Sequence, residues 1–237
     1  MKRVRSSAVS FAYVALATVA SILWVSPALA SGTITGPVMP DVKQGAKLYE
    51  QGDSARGIVA CIACHGPGGN SALPVNPNLS AQSHEYLYKQ LVEFKVKEGA
   101  TMALRRGADG APSMMTALAT PLTEADMRNV SLYLAEQSLT APANASNLKS
   151  IERGQEIWRG GIADRGVPAC AGCHSADGAG IPSLYPRLGG QYASYIEDQL
   201  KYFSAGHRGN STMMSQIAAR MTPDDIKAVS DYAAGLR

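Results

Sequence analysis

The amino-acid sequence predicts an all-α protein built from two tandem copies of one domain. Three observations support this fold class. The two halves of the chain repeat one another at a fixed spacing, apolar residues recur at helical intervals in each half, and strand signals are weak throughout. The predicted organisation is a signal peptide at 1–30, a first domain at 31–139 and a second domain at 140–237.

The repeat relates residues 45–94 to residues 154–203 at a constant offset of 109. Twelve residues of the first copy have an identical or similar partner at this offset: Gly45, Tyr49, Cys61, Cys64, His65, Pro77, Leu79, Gln82, Tyr86, Gln90, Leu91 and Phe94. Further along the chain the offset becomes 99, which aligns Met114-Met115 with Met213-Met214. The chain is therefore a tandem duplication whose first copy carries ten extra residues between Phe94 and Met114.

The first 30 residues have the pattern of a secretory signal peptide. Three basic residues (Lys2, Arg3 and Arg5) precede an uncharged run that ends in the small-x-small cleavage site Ala28-Leu29-Ala30. A retained membrane anchor is the alternative, because the 25 uncharged residues could span a bilayer. We expect cleavage and a periplasmic location, with peripheral association with the membrane left open.

The same three basic residues account for the whole formal net charge of +3, so the rest of the chain is neutral. A nucleic-acid-binding module usually has a basic surface, and neither half of this chain has such an excess. Nucleic acid is therefore not expected among the partners.

Each copy is predicted to contain two early helices. The first lies near 41–50, with its counterpart near 150–158. The second begins near Ser83, and its counterpart surrounds 195–203.

The last helix of each copy has an explicit start signal. Thr123 and Thr222 are N-cap candidates, each followed three residues later by an aspartate, and Pro223 occupies the first helical position. Residues 138–147, rich in Ala, Ser, Asn and Thr, are the predicted linker between the copies.

The only four cysteines form two Cys-x-x-Cys-His motifs, Cys61–His65 and Cys170–His174. This motif is typical of haem c attachment. On one helical turn, Cys61 and Cys64, or Cys170 and Cys173, can form thioethers with the two vinyl groups of a porphyrin. The following histidine then projects over the ring, where its Nε2 ligates iron. The motifs predict two covalently bound haem c groups, with His65 and His174 as iron ligands.

Three other uses of these cysteines are less consistent with the pattern. Disulfides would suit an oxidising compartment, but they would not require a histidine after each pair. A zinc site would need to join two pairs separated by 109 residues across a domain repeat. A thioredoxin-like dithiol would need a βαβ context, and strand signals are weak.

A methionine as the sixth iron ligand would raise the reduction potential and close the site, which suits electron transfer. The doublets Met114-Met115 and Met213-Met214 are the candidates, because each recurs in the same register before a last helix. The repeat does not choose between the two members of a doublet. His84 and His207 have no counterpart in the other copy and are expected to be exposed or capping residues.

Two prolines are candidates for supporting the histidines. Pro77 and Pro186 each lie 12 residues after a motif histidine. A loop at this position could present a backbone carbonyl to the Nδ1–H of that histidine, which would fix its tautomer and strengthen its donation to a metal.

With these motifs, and with the segments 185–191, Gln90-Leu91 and Gln199-Leu200, the sequence resembles the dihaem cytochrome c4 family. The resemblance covers nearly all of the chain after residue 30. It implies two class I cytochrome c domains related by a pseudo-twofold axis, with the haem propionate edges meeting at the domain interface. Residues 76–82 and 98–111 depart from the family pattern, so the first haem pocket is expected to differ from the second.

The resemblance also implies site roles and a function. Met115 and Met214 are the implied methionine ligands, and Pro77 and Pro186 the implied acceptors of the histidine N–H bonds. The implied protein is a monomeric electron carrier, not an enzyme, that passes electrons from a quinol-oxidising complex to a terminal haem-copper oxidase. The alternative is the cytochrome subunit of a periplasmic dehydrogenase, which would accept electrons directly from substrate oxidation.

Overall fold

A computed structural model describes residues 39–237, so the predicted signal peptide at 1–30 lies outside the described residues. The described part contains ten α-helices: α1 Val42–Gln51, α2 Ile62–His65, α3 His84–Phe94, α4 Met114–Ala119, α5 Glu124–Ala135, α6 Ile151–Gly160, α7 Ala171–His174, α8 Ala193–Ser204, α9 Thr212–Ala218 and α10 Pro223–Ala234. Extended pairing over residues 39–237 is limited to isolated bridges. The predicted all-α class is confirmed. None of the helices in this part of the chain is long and apolar enough to cross a bilayer.

The helices occur in the same order in both copies, α1 to α5 and then α6 to α10. The predicted start signals are present. The Ser83 side chain accepts from the Tyr86 amide at the start of α3. Thr123 and Thr222 each form a capping box with the aspartate three residues later. Such caps satisfy amide groups that have no partner inside the helix, which explains why these helices begin where they do.

Each copy has its own hydrophobic core beneath a close crossing of its first and last long helices. The first core contains Leu48, Tyr49, Leu87 and Val130, and the second is centred on Trp158. A glycine lies at each crossing. A Cβ atom added to Gly45 would lie 2.1 Å from the Asn129 carbonyl oxygen, and one added to Gly154 would lie 2.4 Å from that of Ala228. Only glycine permits this approach of two helix backbones.

The two copies pack together as one compact unit. The ten-residue insertion of the first copy contributes to this packing. The Arg106 amide donates to the His207 carbonyl (3.0 Å), and the Gly209 amide donates to the Leu104 carbonyl (2.8 Å). The segment that interrupts the repeat thus binds the second copy. The domain boundary at 139/140 and the linker at 138–147 stay predictions.

Candidate haem sites

Each Cys-x-x-Cys-His motif lies on a single short turn of helix. The His65 amide donates to the Cys61 carbonyl (3.0 Å) at α2, and the His174 amide donates to the Cys170 carbonyl (2.9 Å) at α7. The two sulfurs and the imidazole of each motif are therefore grouped on one turn, as the thioether chemistry requires. The two sites differ in exposure, since Cys64 is exposed whereas Cys173 is half-buried.

The cysteines do not form the alternative sites. All four are free thiols, so neither motif forms a disulfide. Burial raises the pKa of the Cys61 and Cys170 thiols to about 11, which is the opposite of the low pKa of a redox-active thiol. In the described part of the chain, no three His, Cys, Asp or Glu side chains come together as a metal site.

Both motif histidines are buried and oriented by a proline carbonyl. The distance from His65 Nδ1 to the Pro77 oxygen is 3.0 Å, and the distance from His174 Nδ1 to the Pro186 oxygen is also 3.0 Å. Because a carbonyl oxygen can only accept, Nδ1 must carry the proton in each ring. Burial lowers the pKa of both imidazoles, although the bond to the carbonyl opposes this shift. Each ring is therefore neutral, with its Nε2 lone pair available for a metal.

The two members of each methionine doublet differ in exposure. Met114 is 77% exposed and Met213 is 52% exposed, whereas Met115 and Met214 are half-buried. A serine cap holds each inner methionine in place, because the Met115 amide donates to Ser113 Oγ and the Met214 amide donates to Ser211 Oγ. Each copy thus repeats one candidate donor set: two sulfurs and an imidazole nitrogen on one turn, and one half-buried thioether in the same register.

Two buried arginines meet where the copies touch. Arg105 is 6% exposed and Arg208 is 5% exposed, and their backbones form an isolated bridge. The guanidinium of Arg105 stacks on Phe94, and that of Arg208 stacks on Phe203. Neither forms an ion pair with a carboxylate of residues 39–237.

The polar partners of these arginines cross between the copies. Arg105 Nη2 donates to Gln199 Oε1 (2.9 Å) and to the Tyr195 hydroxyl (3.2 Å). Arg208 Nη2 donates to the Tyr86 hydroxyl (2.9 Å) and to Gln90 Oε1 (3.1 Å). All of these partners are neutral. Burial, followed by the charge of Arg208, lowers the pKa of Arg105, and the neighbouring Tyr195 and Tyr86 oppose this shift.

Sequence reasoning did not assign a role to these arginines. Arg105 lies in the inserted segment, and Arg208 has no partner at either repeat offset, so the repeat carried no signal for them. The tyrosines and glutamines were found as repeat positions without a role. Of the two unmatched histidines, His84 is the first residue of α3 and His207 packs beside Tyr202; both are half-buried rather than exposed.

The chain matches known proteins over both copies. The family model described as cytochrome c matches residues 42–138 and 151–236. Cytochrome c4 of Azotobacter vinelandii is 38% identical over 195 residues, covering 79% of this chain and 91% of that protein. A thiosulfate dehydrogenase electron acceptor of Stutzerimonas stutzeri is 30% identical, covering 81% of this chain and 86% of that protein.

A solved structure agrees with these matches. The crystal structure of reduced recombinant cytochrome c4 from Pseudomonas stutzeri superposes with a TM-score of 0.68 at 32% identity, covering 84% of this chain and all of that one. Together with the donor sets above, the matches identify Cys61/Cys64 and Cys170/Cys173 as the attachment sites of two covalently bound haem c groups.

Proposed function

We propose, because this chain belongs to the cytochrome c family, that it carries electrons through two haem irons, each held by one histidine and one methionine. His65 and Met115 are the proposed ligands in the first domain, and His174 and Met214 in the second. The protein is an electron carrier and not an enzyme, as its cytochrome c4 relatives indicate. The observation that carries the proposed ligands is the repetition of one donor set in both copies.

The protein's own groups have distinct tasks at each site. The bound haem supplies the one-electron couple. The histidine donates Nε2, and the proline carbonyl holds the Nδ1 proton, so the imidazole keeps one tautomer and one orientation. The half-buried methionine would supply a thioether as the second protein ligand of the iron, which favours a raised reduction potential. A site closed on both faces moves electrons without binding a substrate.

Arg105 and Arg208 are the proposed partners of the haem carboxylates. Haem c carries two propionates, and a buried arginine without a counter-ion is costly, by several kcal/mol. An acid group at the cluster would supply the missing negative charge. This assignment agrees with the expectation that the propionate edges meet at the domain interface.

The Arg105→Gln, Arg208→Gln double variant is expected to lower both midpoint potentials by on the order of tens of millivolts. A positive charge near a haem disfavours the more positive ferric state, so its removal makes the oxidised form easier to reach and lowers the potential. The potentials are measured by spectroelectrochemical titration. Arg220→Gln is the control, since Arg220 is exposed and donates to the Gly166 carbonyl. Equal potentials in the double variant and the control would contradict the proposed contact between these arginines and the haem propionates.

We place this carrier in the periplasm, between a quinol-oxidising complex and a terminal haem-copper oxidase. The signal pattern of residues 1–30 and the attachment of haem c outside the cytoplasm support this location. The similarity to cytochromes c4 supports these partners. The second candidate is a carrier that takes electrons from a periplasmic dehydrogenase, and the similarity to a thiosulfate dehydrogenase electron acceptor favours it.

The test begins with the purified holoprotein, which is expected to contain two haems per chain. In the reduced state, neither haem is expected to bind carbon monoxide. Stopped-flow reduction is then compared with two donors, a quinol-oxidising complex with quinol and a thiosulfate dehydrogenase with thiosulfate. Faster reduction by the first donor supports the leading proposal, and faster reduction by the second supports the alternative. Ready binding of carbon monoxide to either haem would contradict the closed His/Met sites.

A further inference from the structure

We infer that Gln191 and Gln82 are positioning residues that act across the domain interface, each on the iron-ligating histidine of the opposite domain. This inference rests on the proposed ligation of iron by His65 and His174. It arises from a set of four hydrogen bonds that joins each glutamine to the loop that orients the other domain's histidine.

The two glutamines make reciprocal contacts. Gln191 Oε1 accepts from the Asn78 amide (3.0 Å), and Gln191 Nε2 donates to the Asn78 carbonyl (2.8 Å). Gln82 Oε1 accepts from the Arg187 amide (2.9 Å), and Gln82 Nε2 donates to the Arg187 carbonyl (3.0 Å). Residues 78 and 187 are related by the repeat offset of 109, as are 82 and 191. Such mutual contacts are what a twofold relation between two copies produces.

Each glutamine reaches a histidine through a single peptide group. The carbonyl of Pro77 accepts from His65 Nδ1–H, and the amide at the other end of the same peptide, that of Asn78, donates to Gln191. A peptide group is planar and rigid, so holding its amide also aims its carbonyl. Hydrogen bonds in such a chain polarise one another, and donation by the amide makes the carbonyl a better acceptor.

The second domain contains the same connection in the opposite direction. The Pro186 carbonyl accepts from His174 Nδ1–H, and the Arg187 amide donates to Gln82 of the first domain. Both glutamines are 8% exposed, which shields these bonds from competing water. Each side-chain oxygen is also fixed locally, because it accepts from the next residue's amide, that of Ser83 or Tyr192.

The expected consequence is a crossed dependence of the reduction potentials. A stronger bond from Nδ1–H to the carbonyl makes the imidazole a better donor, which favours the ferric state. Removing Gln191 should therefore raise the potential of the haem bound at Cys61–His65, and removing Gln82 should raise that of the haem bound at Cys170–His174. A residue that merely supported its own domain would affect the haem of that domain instead.

The test uses Gln191→Met and Gln82→Met in the full-length holoprotein, because methionine keeps the volume and loses the hydrogen bonds. Each variant is expected to raise the midpoint potential of the haem in the opposite domain. The expected change in the equilibrium constant for reduction of that haem is at least about threefold, which corresponds to about 30 mV because a tenfold change is about 59 mV. The Met115→Ala and Met214→Ala variants assign each midpoint to its domain. Proton NMR should show faster solvent exchange of the Nδ1 proton of the opposite-domain histidine only.

A further variant separates this effect from a loosened interface. Tyr192→Phe removes another bond between the domains, from the Tyr192 hydroxyl to the Ser71 carbonyl (2.6 Å), and is expected to leave both potentials unchanged.

The inference is wrong if the glutamine variants shift only the haem of their own domain. It is also wrong if they shift neither haem while the wild-type protein shows two His/Met spectra, and in that case the proposed function stands. A wild-type protein whose haems lack histidine ligation would overturn both.

Discussion

Replacement of Met115 by alanine is expected to lower the reduction potential of the first-domain haem by on the order of 0.1 V or more. Axial ligands set haem potentials over a range of roughly 0.8 V, and a thioether lies towards the high end of that range. Loss of the thioether leaves water or no ligand in its place, and the ferrous state loses a ligand that favours it. Met214→Ala is expected to do the same in the second domain. The measurement is a potentiometric titration followed in the haem α-band.

The neighbouring methionines are matched controls for these variants. Met114→Ala and Met213→Ala delete side chains of the same kind, one residue away, that are largely exposed. We expect wild-type potentials from both. Reduced Met115→Ala and Met214→Ala should also bind carbon monoxide at the altered haem, because one axial position becomes open. If the Met114→Ala or Met213→Ala variant bound carbon monoxide instead, the iron ligand would be the exposed member of the doublet.

The parts of this fold that follow from local chemistry could be predicted from the sequence. Thr123 and Thr222 begin helices because their hydroxyls satisfy free amides, and this pattern depends only on neighbouring residues. The grouping of cysteines and histidine is similarly local, since five consecutive residues on one turn contain the whole attachment site. The repeat then extended each local inference to the second copy.

The proline loops show what the repeat adds. A proline 12 residues after a histidine carries little information by itself, but its recurrence in both copies predicted a carbonyl near Nδ1. The structure places both carbonyls at 3.0 Å from that atom. The choice of Met115 and Met214 required the family resemblance, because both members of each doublet align. Their unequal burial agrees with that choice, and the ligand assignment stays a prediction.

Contacts between the copies could not be predicted, because they depend on how two folded surfaces meet. The repeat aligned Gln82 with Gln191, but an alignment of copies does not show that each residue binds the other copy. Arg105 could not be predicted either, because the inserted residues prevent it from aligning with Arg208 at either repeat offset, although the two arginines stack on the equivalent residues Phe94 and Phe203. The insertion that weakened the resemblance is the segment that packs against residues 206–209. Both copies nevertheless supply an arginine to this interface, because Arg105 and Arg208 make equivalent contacts with the opposite copy, and the extra residues only shift Arg105 out of the repeat register.

Replacement of Gly154 by alanine is expected to lower the free energy of unfolding by about 1–3 kcal/mol, the usual cost of overpacking a core. The added Cβ would lie 2.4 Å from the Ala228 carbonyl oxygen and 2.6 Å from Tyr232 Cβ, so α6 and α10 must move apart. These helices enclose Trp158 and the core beside Cys170, so the haem site should loosen with them. Thermal unfolding of the holoprotein, followed in the Soret band and by circular dichroism, measures the loss.

Gly160 in the same helix is the matched control for this prediction. A Cβ added there meets nothing within 4 Å, so Gly160→Ala changes helix propensity without changing packing. Alanine is favoured over glycine in a helix by up to about 1 kcal/mol, and the control is therefore expected to melt at or above the wild-type temperature. A Gly154→Ala protein as stable as Gly160→Ala would show that the two backbones are not in close contact. If instead only Gly154→Ala is destabilised, the same glycine position in the first copy, Gly45, is expected to be equally intolerant, because its Cβ would lie 2.1 Å from the Asn129 oxygen.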